Sequence, residues 1–305
     1  MSSQHPNHPV RGLVPILATP FRPGGALDRP GLRRLVEFQL RSGVDGVAVF
    51  GMASEGFALT AGERREILAD VTEVVAGAVP IVAGVNGTST VTALEQAREA
   101  AEGGADVVMV LPPFMVRPGP DQLVDFYREV AGAGVEVMVQ DAPGATGVTM
   151  PTSLIVELSK LPGVSSVKVE APPTVPKVGA VVDALTDDAF AVLGGQNAQF
   201  VLDEYARGSV GTMPACEFPD LLAPILADWT AGRRAEARAA FAVLLPLIVH
   251  GLQSGIAWAV HKEVLVRRGI IETTTVRSPA KPLDAAGRAL LDEILAPLPN
   301  SLRKS

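Results

Sequence analysis

The chain has 305 residues, of which 48% are hydrophobic and only 5% aromatic, so an aliphatic and alanine-rich core of large size is available to it. Its formal net charge of −7 comes from 33 acidic and 26 basic residues with no dense cationic stripe, which argues against nucleic-acid binding, and no apolar run approaches the ~18 residues of a membrane span. A single cysteine, Cys216, excludes an internal disulfide and sets the expectation of a cytoplasmic protein; it reads as a packed thiol rather than a nucleophile.

Residues 1–11 are polar and proline-bearing, without the apolar core of a signal peptide, and read as a disordered tail. His5 and His8 belong to that tail rather than to a metal site, and no metal or cofactor is expected. From residue 12 onward, apolar runs of strand length alternate with helical stretches. The expected strands are 13–19, 44–50, 80–85, 106–111, 136–140, 164–170, 189–193 and 210–213. Between them lie expected helices at 30–42, 61–76, 90–103, 120–132, 151–160, 175–185 and 198–207. Several open on Asp, Ser, Thr or Pro and close on Gly, as helix caps require. Eight βα units in register predict a (β/α)8 barrel over residues 12–218, with a doubly wound sheet as the alternative. Helical signals alone continue at 219–232, 234–254, 255–269 and 284–295. Residues 219–305 are therefore expected to form a C-terminal helical extension that covers the barrel or supplies a contact in a homo-oligomer. The basic group Lys262, Arg267 and Arg268 falls near the end of one of these helices, where cations are favoured.

Barrels of this kind place chemistry at the C-terminal ends of their strands. The first strand ends at Thr19. The second runs into Gly51-Met52-Ala53-Ser54-Glu55-Gly56, a small-residue loop that either holds a carboxylate through its N–H groups and the Ser54 hydroxyl or is a capped βα turn. The fifth ends on Gln140-Asp141, which are either functional or loop anchors, and the seventh on Gly194-Gly195, where backbone can approach a ligand. The sixth, Val164-Ser165-Ser166-Val167-Lys168-Val169-Glu170, carries two charges that alternation puts on one face. A buried ion pair is the bland reading, and it would be a poor source of stability. An amine held in a low-dielectric site can instead attack a carbonyl carbon to form an imine, with the neighbouring carboxylate moving protons.

These strand ends, together with the opening Pro15-Ile16-Leu17-Ala18-Thr19-Pro20-Phe21, Pro112-Pro113, Pro143 with Thr146-Gly147, and Lys168, resemble the dihydrodipicolinate synthase / N-acetylneuraminate lyase superfamily from about residue 12 to 295. The resemblance implies a class I aldolase barrel, often tetrameric, whose sixth-strand lysine, here Lys168, forms a Schiff base with a 2-oxo acid. It also shows departures. Met52 and Ala53 stand where a hydroxyl pair is usual, Gln140 where a relay tyrosine stands, and Ala145 where an arginine follows it. Phe114 or Met115 replaces a further tyrosine, and the two tyrosines present, Tyr127 and Tyr205, fall in expected helices.

The stretches Ser54-Glu55-Gly56-Phe57-Ala58-Leu59-Thr60, Gln140-Asp141-Ala142-Pro143, Lys168-x-Glu170 and Lys262-Glu263-Val264-Leu265 are similar to the 2-keto-3-deoxyarabonate dehydratase branch. In that branch the glutamate two residues beyond the lysine is thought to transfer protons, a role that falls on Glu170. The resemblance therefore implies a lyase acting on a small-molecule 2-oxo acid, foremost a hydro-lyase for a 2-keto-3-deoxy sugar acid. Catalysis would rest on Lys168 and Glu170, and Ser54, Glu55, Gln140, Asp141, Gly195 and Thr19 would line the site. A pyruvate-dependent aldolase or synthase and a non-catalytic 2-oxo acid binding protein are the alternatives. A dimer or tetramer is the expected assembly.

Overall fold

A computed structural model of the chain describes residues 10–187 and 189–299; the expected tail lies outside them up to residue 9. The eight strands are all parallel: β1 (Gly12–Leu13), β2 (Val47–Val49), β3 (Ile81–Val85), β4 (Val107–Val110), β5 (Glu136–Asp141), β6 (Val164–Val169), β7 (Ala191–Gly194) and β8 (Gly211–Thr212). Their neighbours run β2-β3-β4-β5-β6-β7-β8-β1. The first segment also bonds to the second, through Asp45 N to Leu13 O at 2.9 Å, Ala48 N to Pro15 O at 2.9 Å and Leu17 N to Ala48 O at 2.8 Å, which closes the barrel. Closure removes the doubly wound alternative, because no open sheet edge remains to carry it.

Helices α1 (Arg29–Arg41), α2 (Ala61–Val75), α3 (Thr90–Glu102) and α4 (Pro120–Ala131) follow the first four strands. Next come a single turn, α5 (Pro143–Thr146), and then α6 (Thr152–Leu158), α7 (Thr174–Ala184) and α8 (Val201–Ala206). Their starts are written in the sequence. Asp28 accepts from Gly31 N ahead of α1, and Thr60 with Glu63 and Ser89 with Thr92 form reciprocal caps on α2 and α3. Four further helices, α9 (Pro219–Thr230), α10 (Arg234–His250), α11 (Ala257–Arg267) and α12 (Ala285–Leu295), make the expected C-terminal set. None of the helices described is long and apolar enough to cross a membrane.

Two apolar layers follow from strand alternation. One lies between sheet and helices, and the other fills the barrel floor with Val14, Ile16, Val82, Met109, Met138 and Leu193. Val10, assigned from sequence to the tail, is 2% exposed and packs into that floor. Cys216 is fully buried; its Sγ accepts from Ala18 N at 3.2 Å and burial pushes its thiol pKa up, as a packed thiol requires.

Glu204 of α8 is a cost in the outer layer. It is wholly buried, Oε1 accepts from Thr174 Oγ1 at 2.6 Å, and Oε2 has no partner. Burial, foremost, lifts its carboxyl from the usual 4.5 to about 7. The folded state thus keeps this proton to higher pH than the unfolded chain does. Its stabilising contribution is full below about pH 4.5 and is lost as pH rises through about 7. Glu204→Gln keeps the Thr174 acceptor and removes the charge, so it should raise stability at pH 8 by on the order of 2–3 kcal/mol and far less at pH 5. Thermal melts of both proteins at the two pH values check this; an equal effect at both would remove the titration from the account.

Candidate active site

In register, Gln140 of β5 sits beside Lys168 of β6, and Lys168 beside Leu193 of β7. Since Met138 and Leu193 belong to the barrel floor, Gln140 and Lys168 point inward just above it, and Glu170 follows on the same face. Lys168 is 1% and Glu170 6% exposed. The Lys168 Nζ lies 3.2 Å from Glu170 Oε1, while the other carboxylate oxygen accepts from Gln140 Nε2 at 2.7 Å. Gln196, just past β7, adds its backbone N–H to Oε1 at 3.4 Å and its side-chain amide to the Glu170 carbonyl at 3.0 Å. Glu170 is thereby held by partners on three strands' ends with its proton-accepting edge on the amine.

Gly195 makes this possible. A Cβ there would lie 2.3 Å from Glu170 Cγ and 2.7 Å from Oε1. Gly195→Ala should push the carboxylate off the lysine and cut turnover on the order of 10²-fold, since a misplacement of about 1 Å is worth that much. Steady-state rates with Lys168 accessibility as control check it; unchanged turnover would show that Glu170 need not sit where it does.

Beside Gln140 a cavity of about 180 Å³ opens between the ends of β2 and β5, reaching Met52, Asn86, Phe114 and Thr146. One wall is the loop after β2, where Met52–Ser54 form a 3-10 turn whose cap residue, Gly51, offers no side-chain acceptor to its first N–H groups. Such a turn suits an anion. The Ser54 hydroxyl is buried without a partner, and Thr19 Oγ1 is spent on the Ser54 carbonyl at 2.6 Å. Thr19 thus shapes the loop.

Of the residues expected at the site, Gln140 lines this cavity, while Thr19, Ser54, Glu55, Asp141, Lys168, Glu170 and Gly195 do not. Glu55, with a left-handed φ of 55°, bonds to Lys262 Nζ of α11 and accepts from Arg277 N at 2.8 Å. Lys262 also donates to Thr275 O at 2.7 Å, and Trp258 Nε1 donates to Met52 O at 2.6 Å. The C-terminal segment thereby clamps the loop that walls the cavity. Lys262, read from sequence as part of a helix-end cluster, is instead buried, and burial, foremost, lowers its pKa to about 8. Asp141 alternates with Gln140 and so faces outward; it is 3.3 Å from Lys177 of α7, and burial raises its pKa. Its role is to anchor β5 against α7.

Sequence reasoning missed Gln196, Asn86, Trp258 and Arg277. For Gln196 a signal existed in its place after Gly194-Gly195 at a strand end. Trp258 and Arg277 meet the loop from more than 200 positions away, and no local pattern announces that. Tyr127 is buried in α4 with its hydroxyl on Val110 O at 3.0 Å, which leaves it no part in the site. Among the described residues no three His, Cys, Asp or Glu side chains are grouped to ligate a metal.

A closed (β/α)8 barrel with a buried lysine and a paired carboxylate near its mouth defines a class I Schiff-base lyase. The chain belongs to the dihydrodipicolinate synthetase family, which it matches over residues 9–297. It is 32% identical over 296 residues to an L-2-keto-3-deoxyarabonate dehydratase of Azospirillum brasilense, covering 95% of this chain and 94% of that one. A 4-hydroxy-tetrahydrodipicolinate synthase of Methylococcus capsulatus is 31% identical over 269 residues, covering 86% and 91%. The crystal structure of dihydrodipicolinate synthase from Rhodopseudomonas palustris superposes with a TM-score of 0.88 at 28% identity, covering 94% of this chain and 97% of that one.

Proposed function

We propose that this protein is a hydro-lyase that removes water from a 2-keto-3-deoxy sugar acid through a Schiff base on Lys168. The observation that carries this reading is the 3.2 Å contact between Lys168 Nζ and Glu170 Oε1, with Gln140 rather than a tyrosine on the far oxygen. The amine attacks C2 of the substrate and the carbonyl oxygen leaves as water, giving an iminium. Glu170 then takes a proton from C3, whose electrons pass into the iminium to form an enamine. The enamine expels the C4 hydroxyl, which departs as water with the proton Glu170 carries, and leaves a C3–C4 double bond. Hydrolysis frees the unsaturated 2-oxo acid and Lys168. The substrate carboxylate is taken by the N–H groups that open the 52–54 turn, where Gly51 and Met52 line the cavity.

The dehydratase relative supports this choice of reaction, and Ala145 and Met52 at the cavity supply neither the cation nor the hydroxyl that the synthase pattern has there. The test is an assay of a 2-keto-3-deoxy pentonate for water elimination, beside pyruvate with an aldehyde for condensation. Elimination without aldehyde-dependent pyruvate consumption is expected. Condensation would establish the aldolase alternative, and binding without any product the non-catalytic one. A cytoplasmic dimer or tetramer is proposed for the working form; Met115 and Val116, 77% and 79% exposed, are available for self-association, which light scattering would measure.

A further inference from the structure

The chain leaves β7 through three consecutive residues in the left-handed region, Gln196, Asn197 and Ala198, with φ of 49°, 53° and 63°. Asparagine visits that region more readily than most residues, but glutamine and alanine are disfavoured there by their Cβ atoms, so a run of three persists only where its surroundings hold it. Asn197 does the holding. It is buried, its Nδ2 donates to Ile248 O at 3.0 Å, and its Oδ1 accepts from Ala215 N at 2.8 Å. Ile248 belongs to the last turn of α10, whose other terminal carbonyls, on Leu247, Val249 and His250, are taken by Gly251 N, Leu252 N and Gln253 Nε2. The amide of Asn197 therefore completes the C-terminal end of that helix. Gly251 lets it in, since a Cβ there would lie 3.2 Å from Asn197 Nδ2.

The turn so fastened carries Gln196, which grips Glu170 twice: its N–H reaches Oε1 at 3.4 Å, and its side-chain amide reaches the main-chain carbonyl at 3.0 Å. Oε1 is the oxygen that faces Lys168 Nζ at 3.2 Å. At 3.4 Å the first of these bonds is already long, so a small drift of the turn breaks it. We propose that Asn197 is a positioning residue for the proton transfer: by tying the left-handed turn to α10 and to the segment after β8, it keeps Gln196 on Glu170 and Glu170 on Lys168. The C-terminal extension then takes part in the chemistry through one asparagine, without touching the substrate there. This inference rests on the Schiff-base reading of Lys168 with Glu170 as its base, and adds what keeps that base in place.

The test uses pyruvate in deuterated water, with two readouts on the purified protein. Borohydride trapping reports the imine. Loss of the pyruvate methyl proton signal reports Glu170, which takes a proton from C3 of the iminium to give the enamine and returns a solvent deuteron to the same carbon. Asn197→Gly deletes both ties while leaving the left-handed backbone easy to adopt. It should lower the saturated exchange rate at least tenfold, since misplacing a reacting group by about 1 Å costs on the order of 10²-fold. The pyruvate concentration for half-maximal trapping should shift by less than about threefold. Gln196→Ala, at a half-buried position, should show the same split. The double variant should fall no more than about threefold below Asn197→Gly alone, because residues acting in series do not add. Exchange at the parental rate in either single variant overturns the inference, as does an equal loss of trapping and exchange, which would make Asn197 a support of the whole site. A double variant at the product of the two losses would show that Asn197 does not act through Gln196, and overturns it as well. Absence of an adduct in the parental protein removes the Schiff-base reading, and an adduct without exchange removes the role of Glu170; either takes the inference with it.

Discussion

Lys168→Met is expected to abolish both turnover and borohydride trapping while the protein still folds. The thioether keeps the length of the side chain but offers no amine, so no imine forms and the electron sink for C3–H cleavage is gone. The substitution also leaves Glu170 as a buried carboxylate without its cation. Breaking such a pair costs about 3–5 kcal/mol in general, and the Gln140 and Gln196 donors that remain on Glu170 hold the loss to the lower end of that range. Melting curves and circular dichroism separate loss of chemistry from loss of fold. Residual turnover in a folded variant would contradict a covalent role for this lysine.

Glu170→Gln is expected to split the reaction in two. The side chain retains its shape, Gln140 can turn its amide to present oxygen, and Lys168 remains free to add to the carbonyl, so trapping of pyruvate persists. Proton removal at C3 and proton delivery to the C4 oxygen both lose their agent, and turnover should fall by about 10²–10⁴-fold. Trapping and elimination measured on the same sample give the split directly. A variant that eliminates water at the parental rate would show that another group, or solvent, moves the proton.

The centre of this site was legible because a strand has a strict two-residue period and charges are rare in a barrel interior. Lys168 and Glu170 could be placed on one face from their spacing alone, and the 3.2 Å contact follows from that placement. The same rule, applied to Gln140 and Asp141, already requires that one of two adjacent residues faces away; the structure shows that Gln140 turns inward and Asp141 toward Lys177.

Strand lengths were less legible at the ends of the chain's barrel. The expected strand 13–19 shortens to Gly12–Leu13 with two further bridges, both at Ile16, to Ala48 and Ala215, because Pro15 has no N–H to give to a ladder. The turn Pro143–Thr146 is too short to leave a periodic trace in the sequence. Glu55 was expected to line the site because its loop does. Its true partners, Lys262 and Arg277, lie more than 200 residues on, where only folding brings them together.

The most direct measurement of the central claim is peptide mass mapping after borohydride reduction in the presence of pyruvate. One reduced pyruvyl adduct is expected, on the peptide that carries Lys168, and none in Lys168→Met. An adduct on the other buried lysine, Lys262, or on Lys177, or the absence of any adduct, would contradict it.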